Sequence, residues 1–128
     1  MYVADTHSFI WFLTRDERLS EKAKEIFRSC DEGNTIIVIP SIVLFECLYI
    51  CEKKKVDLEF RQIIEKIEST LNYLVYPLDE EVILSCQGIK EITEPHDRII
   101  VATTKLLNAK LITKDEKIRN SKIVETVW

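Results

Sequence analysis

Short apolar strands alternating with helices along 128 residues predict an α/β domain in which helices cover both faces of a parallel sheet. Three observations carry this expectation. Tyr2–Ala4, Thr35–Ile39 and Leu111–Thr113 are continuous apolar or β-branched runs, the pattern of strands buried on both faces. The stretches between them carry apolar residues at helical spacing. Two glycines and three prolines leave little room for linkers, and no internal repeat is present, so residues 1–128 read as one domain.

Tyr2-Val3-Ala4 opens the chain as a buried strand and runs into a helix, Thr6–Leu13, with Phe9, Ile10, Phe12 and Leu13 as its apolar set. A second helix begins at Ser20-Glu21-Lys22-Ala23 and stops at the Gly33-Asn34 turn signal. Thr35–Ile39 is a strand that Pro40 ends, and Ser41 is placed to cap a helix reaching Lys54. Leu58–Leu71 is helical through Ile63, Ile64 and Ile67, Leu74–Leu78 is a strand, and Glu80–Ile92 is a helix. After Pro95 a helix is expected from Asp97 to Asn108, then strands at Leu111–Thr113 and Ile123–Val127. In a doubly wound sheet, function collects at the carboxyl ends of the strands, where the strand order reverses.

With 46% hydrophobic residues the chain can bury a real core, and a charged fraction of 31% beside that apolar content argues against disorder. No apolar run reaches the ~20 residues of a membrane-spanning helix. The opening residues also lack a positively charged leader, so a cytoplasmic protein is the expectation. Cys30, Cys47, Cys51 and Cys86 are scattered, with no C-x-x-C pair, and read as reduced thiols rather than zinc ligands or disulfides. The net charge of −4 is unevenly spread. Residues 1–97 hold eleven basic and nineteen acidic side chains, net −8, whereas residues 98–128 hold seven and three, net +4. A basic end can meet phosphates, and it also suits a solvated surface.

Four carboxylates stand in expensive places. Asp5 ends the first strand and is the only charged residue of the first fourteen. Glu46 is the one charge in the ten-residue row Ile42–Cys51, a helix apolar enough to be buried on most faces, where an unpaired carboxylate must protonate, pair or bind a metal. Asp97 opens an apolar helix, and Asp115 follows the strand Leu111–Thr113. Asp5 and Asp97 also suit helix caps, Asp115 an ordinary turn and Glu46 a buried salt bridge. In a doubly wound sheet all four can converge at one edge, where mutual repulsion calls for a cation. Oxygen ligands without a thiol or histidine pattern select Mg²⁺ or Mn²⁺. That chemistry suits a phosphodiester hydrolysed by metal-activated water.

These residues fall into four ordered motifs. Val3-Ala4-Asp5-Thr6-His7-Ser8-Phe9-Ile10-Trp11 gives a hydrophobic strand with Asp and Thr at its end. In Ser41-Ile42-Val43-Leu44-Phe45-Glu46 a serine precedes a glutamate by five residues. His96-Asp97-Arg98-Ile99-Ile100-Val101-Ala102-Thr103 is an Asp-Arg-apolar run ending in Ala-Thr, and Thr113-Lys114-Asp115 is a Thr-x-Asp. In these motifs the sequence resembles the PIN-domain family, and within it the VapC-type toxin ribonucleases, over nearly the whole chain. The segment before Asp97 departs from that subgroup in lacking a longer Arg/Asp-Pro run.

The resemblance implies a three-layer α/β/α PIN-like domain with a central parallel sheet. It implies a Mg²⁺- or Mn²⁺-dependent ribonuclease acting on RNA, a homodimer, and a small antitoxin partner. By the same match Asp5, Glu46, Asp97 and Asp115 are the catalytic, metal-holding acids, with Thr6 and Thr113 as supporting hydroxyls. A PIN-like RNA-processing nuclease outside a toxin module is the nearest alternative, and a PIN-like binding subunit would tend to lose these acids. A receiver-type signalling module would want paired acids after the first strand and a Lys-Pro near the last. Here Thr6-His7 follows Asp5 and no Lys-Pro occurs. An aspartyl-phosphate phosphatase would need an aspartate where His7 stands.

Overall fold

Five strands, all parallel, form one sheet that follows the chain outward from its first strand and then returns to that strand's other side. A computed structural model describes residues 1–128. In chain order the elements are β1 (Tyr2–Ala4), α1 (Thr6–Leu13), α2 (Glu21–Asp31), β2 (Ile37–Pro40), α3 (Ser41–Glu52) and α4 (Phe60–Ser69). They continue as β3 (Tyr73–Tyr76), α5 (Glu80–Cys86), α6 (Pro95–Leu106), β4 (Lys110–Ile112), α7 (Glu116–Ser121) and β5 (Thr126–Val127). The result is the expected three-layer α/β/α arrangement. From β1 the order runs outward to β2 and β3, then returns to place β4 on the other side of β1, so the order reverses between β1 and β4. Register there pairs Ala4 with Ile112, and the residues that follow each strand emerge side by side.

Val3, Ala4, Ile37, Val38, Ile39, Leu111 and Ile112 are at most 2% exposed. This is why their strands read as unbroken apolar runs rather than alternating ones. A single cluster of 27 buried residues joins the sheet to its helices. One helical layer is anchored by aromatics: Phe27 of α2 stacks on Phe12 with ring centroids 4.7 Å apart and lies 6.3 Å from Phe9.

Several boundaries differ from the sequence reading, each for a physical reason. Pro40 belongs to β2 and occupies the N-cap position of α3 without a side-chain cap. Ser41 is not the cap but the first helical residue, and its hydroxyl accepts from the Leu78 amide at 2.9 Å. The expected helix over 80–92 stops at Cys86, just before Gly88, where helix continuation is costly. The turn that follows still buries Ile89 and Ile92. α6 begins at Pro95 rather than Asp97, because proline suits the first turn and Glu94 supplies the cap. α7 was not anticipated, since its six residues bury only Ile118.

α3 is not buried on most faces. Val43 and Cys47 are its fully buried residues, while Phe45 and Tyr49 are 58% and 52% exposed. On α4, in contrast, Ile63 and Ile67 turn into the core and offer no surface to a partner.

Phe27→Ala removes a fully buried ring together with its stacking partners and is expected to lower stability by about 3–5 kcal/mol, read as a fall in the urea midpoint with little change in slope.

Candidate acidic site

Asp5 is the residue immediately after β1, and its amide donates to Ile112 of β4 at 3.3 Å. Its backbone is extended, so it caps α1: Oδ1 accepts from the Ser8 amide at 2.9 Å. Asp115 repeats this device after β4, with Oδ1 accepting from the Ile118 amide at 2.9 Å to cap α7. Both aspartates therefore serve as caps, and both still sit at the reversal of strand order. A cap engages one carboxylate oxygen, so capping does not use up the second oxygen of either aspartate.

Asp97 has a different local role. The cap of α6 is Glu94, whose Oε2 accepts from the Asp97 amide at 2.7 Å, so Asp97 stands in the first turn with a free carboxylate. Asp5, Asp97 and Asp115 line one cavity of about 500 Å³ together with His7, Trp11, Lys114, Arg119 and Trp128. Glu46 does not line that cavity but is held at its margin. The Thr6 hydroxyl donates to Glu46 Oε1 at 2.6 Å. His96 Nδ1 lies 3.9 Å from Glu46 Oε2 and 3.0 Å from Glu94 Oε1.

Electrostatics bear out the crowding. Burial pushes the Asp5 carboxyl above its ordinary range, opposed by hydrogen bonds from Thr113 and Ser8. Burial also raises Asp97, and the negative charges of Glu94, Asp115, Glu46 and Asp5 carry it further, to about 6. Neither Asp5, Asp97 nor Asp115 pairs with a lysine or arginine, and the nearest cationic candidate to Glu46 is His96. No three histidine, cysteine, aspartate or glutamate side chains close around one point as a finished ligand cage. The four acids are neighbours in charge, not a clenched set.

Thr6 and Thr113 act on the acids directly. Thr6 orients Glu46, and the Thr113 hydroxyl accepts from the Asp115 amide at 3.1 Å while favouring the charged form of Asp5. Sequence reasoning missed Glu94, although a carboxylate directly before a proline at a helix start is a recognisable cap signal. It also missed Trp11, Lys114, Arg119 and Trp128 as cleft residues. Trp11 and Trp128 are 117 positions apart, so no local pattern could unite them.

Sheet order and acidic cleft together define an α/β protein with its candidate site at the switch point of a parallel sheet. The chain belongs to the PIN-domain family, whose pattern it matches over residues 2–123. No curated protein matches it by sequence. Among solved structures it is similar to VapBC2 from Rickettsia felis, bound to a DNA fragment from their promoter, with 17% identity and a TM-score of 0.76 over 99% of this chain and 98% of that one. FitAcB from Neisseria gonorrhoeae aligns at 18% identity and a TM-score of 0.72, covering 100% of this chain and 97% of that one. A toxin–antitoxin complex from Klebsiella pneumoniae aligns at 15% identity and a TM-score of 0.71, covering 100% and 97%. No helix here is long and apolar enough to cross a membrane.

The apo protein should lose stability as pH rises from about 4 to about 6. Asp97 takes up its proton more readily when folded, so the stability it contributes is present below the unfolded value of 3.8 and is lost through about 6. Asp97→Asn should flatten this slope and raise stability at neutral pH, as checked by urea titrations in chelator across that range.

Proposed function

We propose that this protein is a Mg²⁺- or Mn²⁺-dependent ribonuclease, the toxin of a toxin–antitoxin pair, acting as a homodimer. The observation that carries the proposal is the set of Asp5, Asp97 and Asp115 in one cleft without a lysine or arginine partner. Carboxylate oxygens with uncompensated charge suit a hard divalent cation. Asp5, Glu46, Asp97 and Asp115 would hold it. When bound, such a cation neutralises charge on a phosphate and makes water a stronger nucleophile.

The chain's own groups hold the acids for that chemistry. Thr113 steadies Asp5, Thr6 steadies Glu46, and the caps of α1 and α7 fix the two strand-end aspartates. Water attacking phosphorus displaces the 3′ oxygen, so the products are a 5′-phosphate and a 3′-hydroxyl. The toxin assignment draws on the VapC-like motifs and on the toxin–antitoxin complex that shares this fold. The dimer draws on the apolar α3 face, where Phe45 and Tyr49 stand more than half exposed. Isolated exposed apolar residues are ordinary, whereas neighbours on one helical face suit an interface.

RNA cleavage should require Mg²⁺ or Mn²⁺ and cease in chelator. Asp5→Asn keeps the helix cap and removes the charge, so activity should fall by about three orders of magnitude, or roughly 4 kcal/mol of barrier, while the circular dichroism spectrum persists. Cleavage that survives chelator, or ends in a 2′,3′-cyclic phosphate, would refute the assignment.

Light scattering should give a dimer at micromolar concentration, and Phe45→Glu should convert it to a folded monomer. A wild-type monomer would remove the dimer from the proposal.

A further inference from the structure

One side of the acidic cleft is aromatic. Trp11 and Trp128 meet edge to face with ring centroids 5.9 Å apart, and both line the cavity that holds Asp5, Asp97 and Asp115. Both rings are partly exposed. Trp11 is held from outside: the Arg18 guanidinium lies 4.7 Å from its ring centroid while Arg18 is clamped on Asp16 by hydrogen bonds of 3.0 and 2.8 Å. Lys114 Nζ lies 5.8 Å from the same centroid. Lys114 and Arg119 are exposed, line the cleft, and form no ion pair although three aspartates share the cavity.

A fixed aromatic pair with unpaired cations beside it is what a single-stranded nucleic acid uses. Bases stack on the rings and phosphates meet the ammonium and guanidinium groups. We propose that Trp11 and Trp128 form a nucleobase subsite, with Lys114 and Arg119 as its phosphate contacts, that takes an unpaired base of the RNA next to the bond to be cut. The proposal rests on the ribonuclease reading of the same cleft and adds to it a requirement for unstacked, single-stranded substrate. A paired base has both faces covered and its edge engaged, so a duplex cannot present a ring to Trp128. The cavity of about 500 Å³ has room for one nucleotide. The local basic excess of residues 98–128 offers the phosphates an approach on a protein that is acidic elsewhere.

Trp11 and Trp128 are the only tryptophans, so tryptophan emission, excited beyond the absorption of the four tyrosines, reports this subsite alone. Asp5→Asn protein in Mg²⁺ is titrated with a short single-stranded RNA, with the same RNA made abasic, and with a duplex of the same sequence. The expected result is saturable quenching by the single strand, with about tenfold weaker binding of the abasic strand and no base-dependent quenching by the duplex. Trp128→Phe leaves Trp11 as the sole emitter and retains a stacking surface, which covers the case in which Trp128→Ala does not fold. In the active protein, Trp128→Ala should raise KM about tenfold with kcat nearly unchanged, and Trp128→Phe should restore most of it.

Equal affinity for the intact and abasic strands, or wild-type KM in Trp128→Ala, overturns the subsite while leaving the nuclease reading intact. Base-dependent quenching by a protein that cuts no RNA has the opposite meaning, sustaining the subsite and removing the nuclease reading.

Discussion

The parallel pairing of β1 with β4 is the constraint on which the rest of the molecule depends. With Ala4 opposite Ile112, the next residues, Asp5 and Thr113, leave the sheet together. Desolvation penalises the Asp5 charge, and Thr113 and Ser8 oppose that penalty by hydrogen bonding to it. The same carboxylate starts α1, and Asp115, two residues after Thr113, starts α7. A one-residue slip of β4 would carry its apolar side chains to the wrong faces and separate the threonine from the aspartate it steadies. Register, helix initiation and the acidic cleft are thus one geometric decision.

The cost of this arrangement is electrostatic. Each carboxylate near Asp97 disfavours its charged form, on top of the penalty of burial. Asp97 answers this, together with its burial, by holding its proton up to about 6. The cations nearest the cleft do not relieve the crowding, because Lys114 and Arg119 leave the aspartates unpaired. Relief within the chain comes from dipoles, through the helix caps and two threonine hydroxyls. These orient the acids without neutralising them. A purely structural cluster would gain from a lysine or arginine paired with its carboxylates, and the lack of such a pair separates this cleft from an ordinary buried ion-pair network.

How much was legible in the sequence depended on the range of the forces involved. Strands buried on both faces announce themselves as unbroken apolar runs, so the parallel sheet could be read from Tyr2–Ala4 and Leu111–Thr113. Asp5 and Glu46 stood out because each is a lone charge in an apolar row, a purely local signal. Asp5 and Asp115 are helix caps, and a cap does not exclude a further role, since a carboxylate has two oxygens and a cap needs one. Tertiary packing was not legible. The row Ile42–Cys51 is apolar all round, yet the sheet reaches only the Val43 and Cys47 side, which leaves Phe45 and Tyr49 outside. α7 is too short and too polar for any periodicity to reveal. The meeting of Trp11 with Trp128 depends on the whole β1–β4–β5 side of the sheet being assembled first.

α3 links the two faces of the molecule. Glu46 adjoins Phe45 in the chain and lies three residues before Tyr49. Its carboxylate is tied to Thr6, the first residue of α1, by a 2.6 Å hydrogen bond, while Phe45 and Tyr49 look outward from the same helix. A helix moves as a rigid rod, so a shift of α3 about its axis large enough to bury the outward residues differently also moves Glu46 against Thr6. The bond between them sits one residue from Asp5, at the point where α1 leaves the sheet. The acidic cleft is therefore as rigid as the seating of α3 on α1. A surface covering Phe45 and Tyr49 on the outer side of α3 would stiffen the site without entering it.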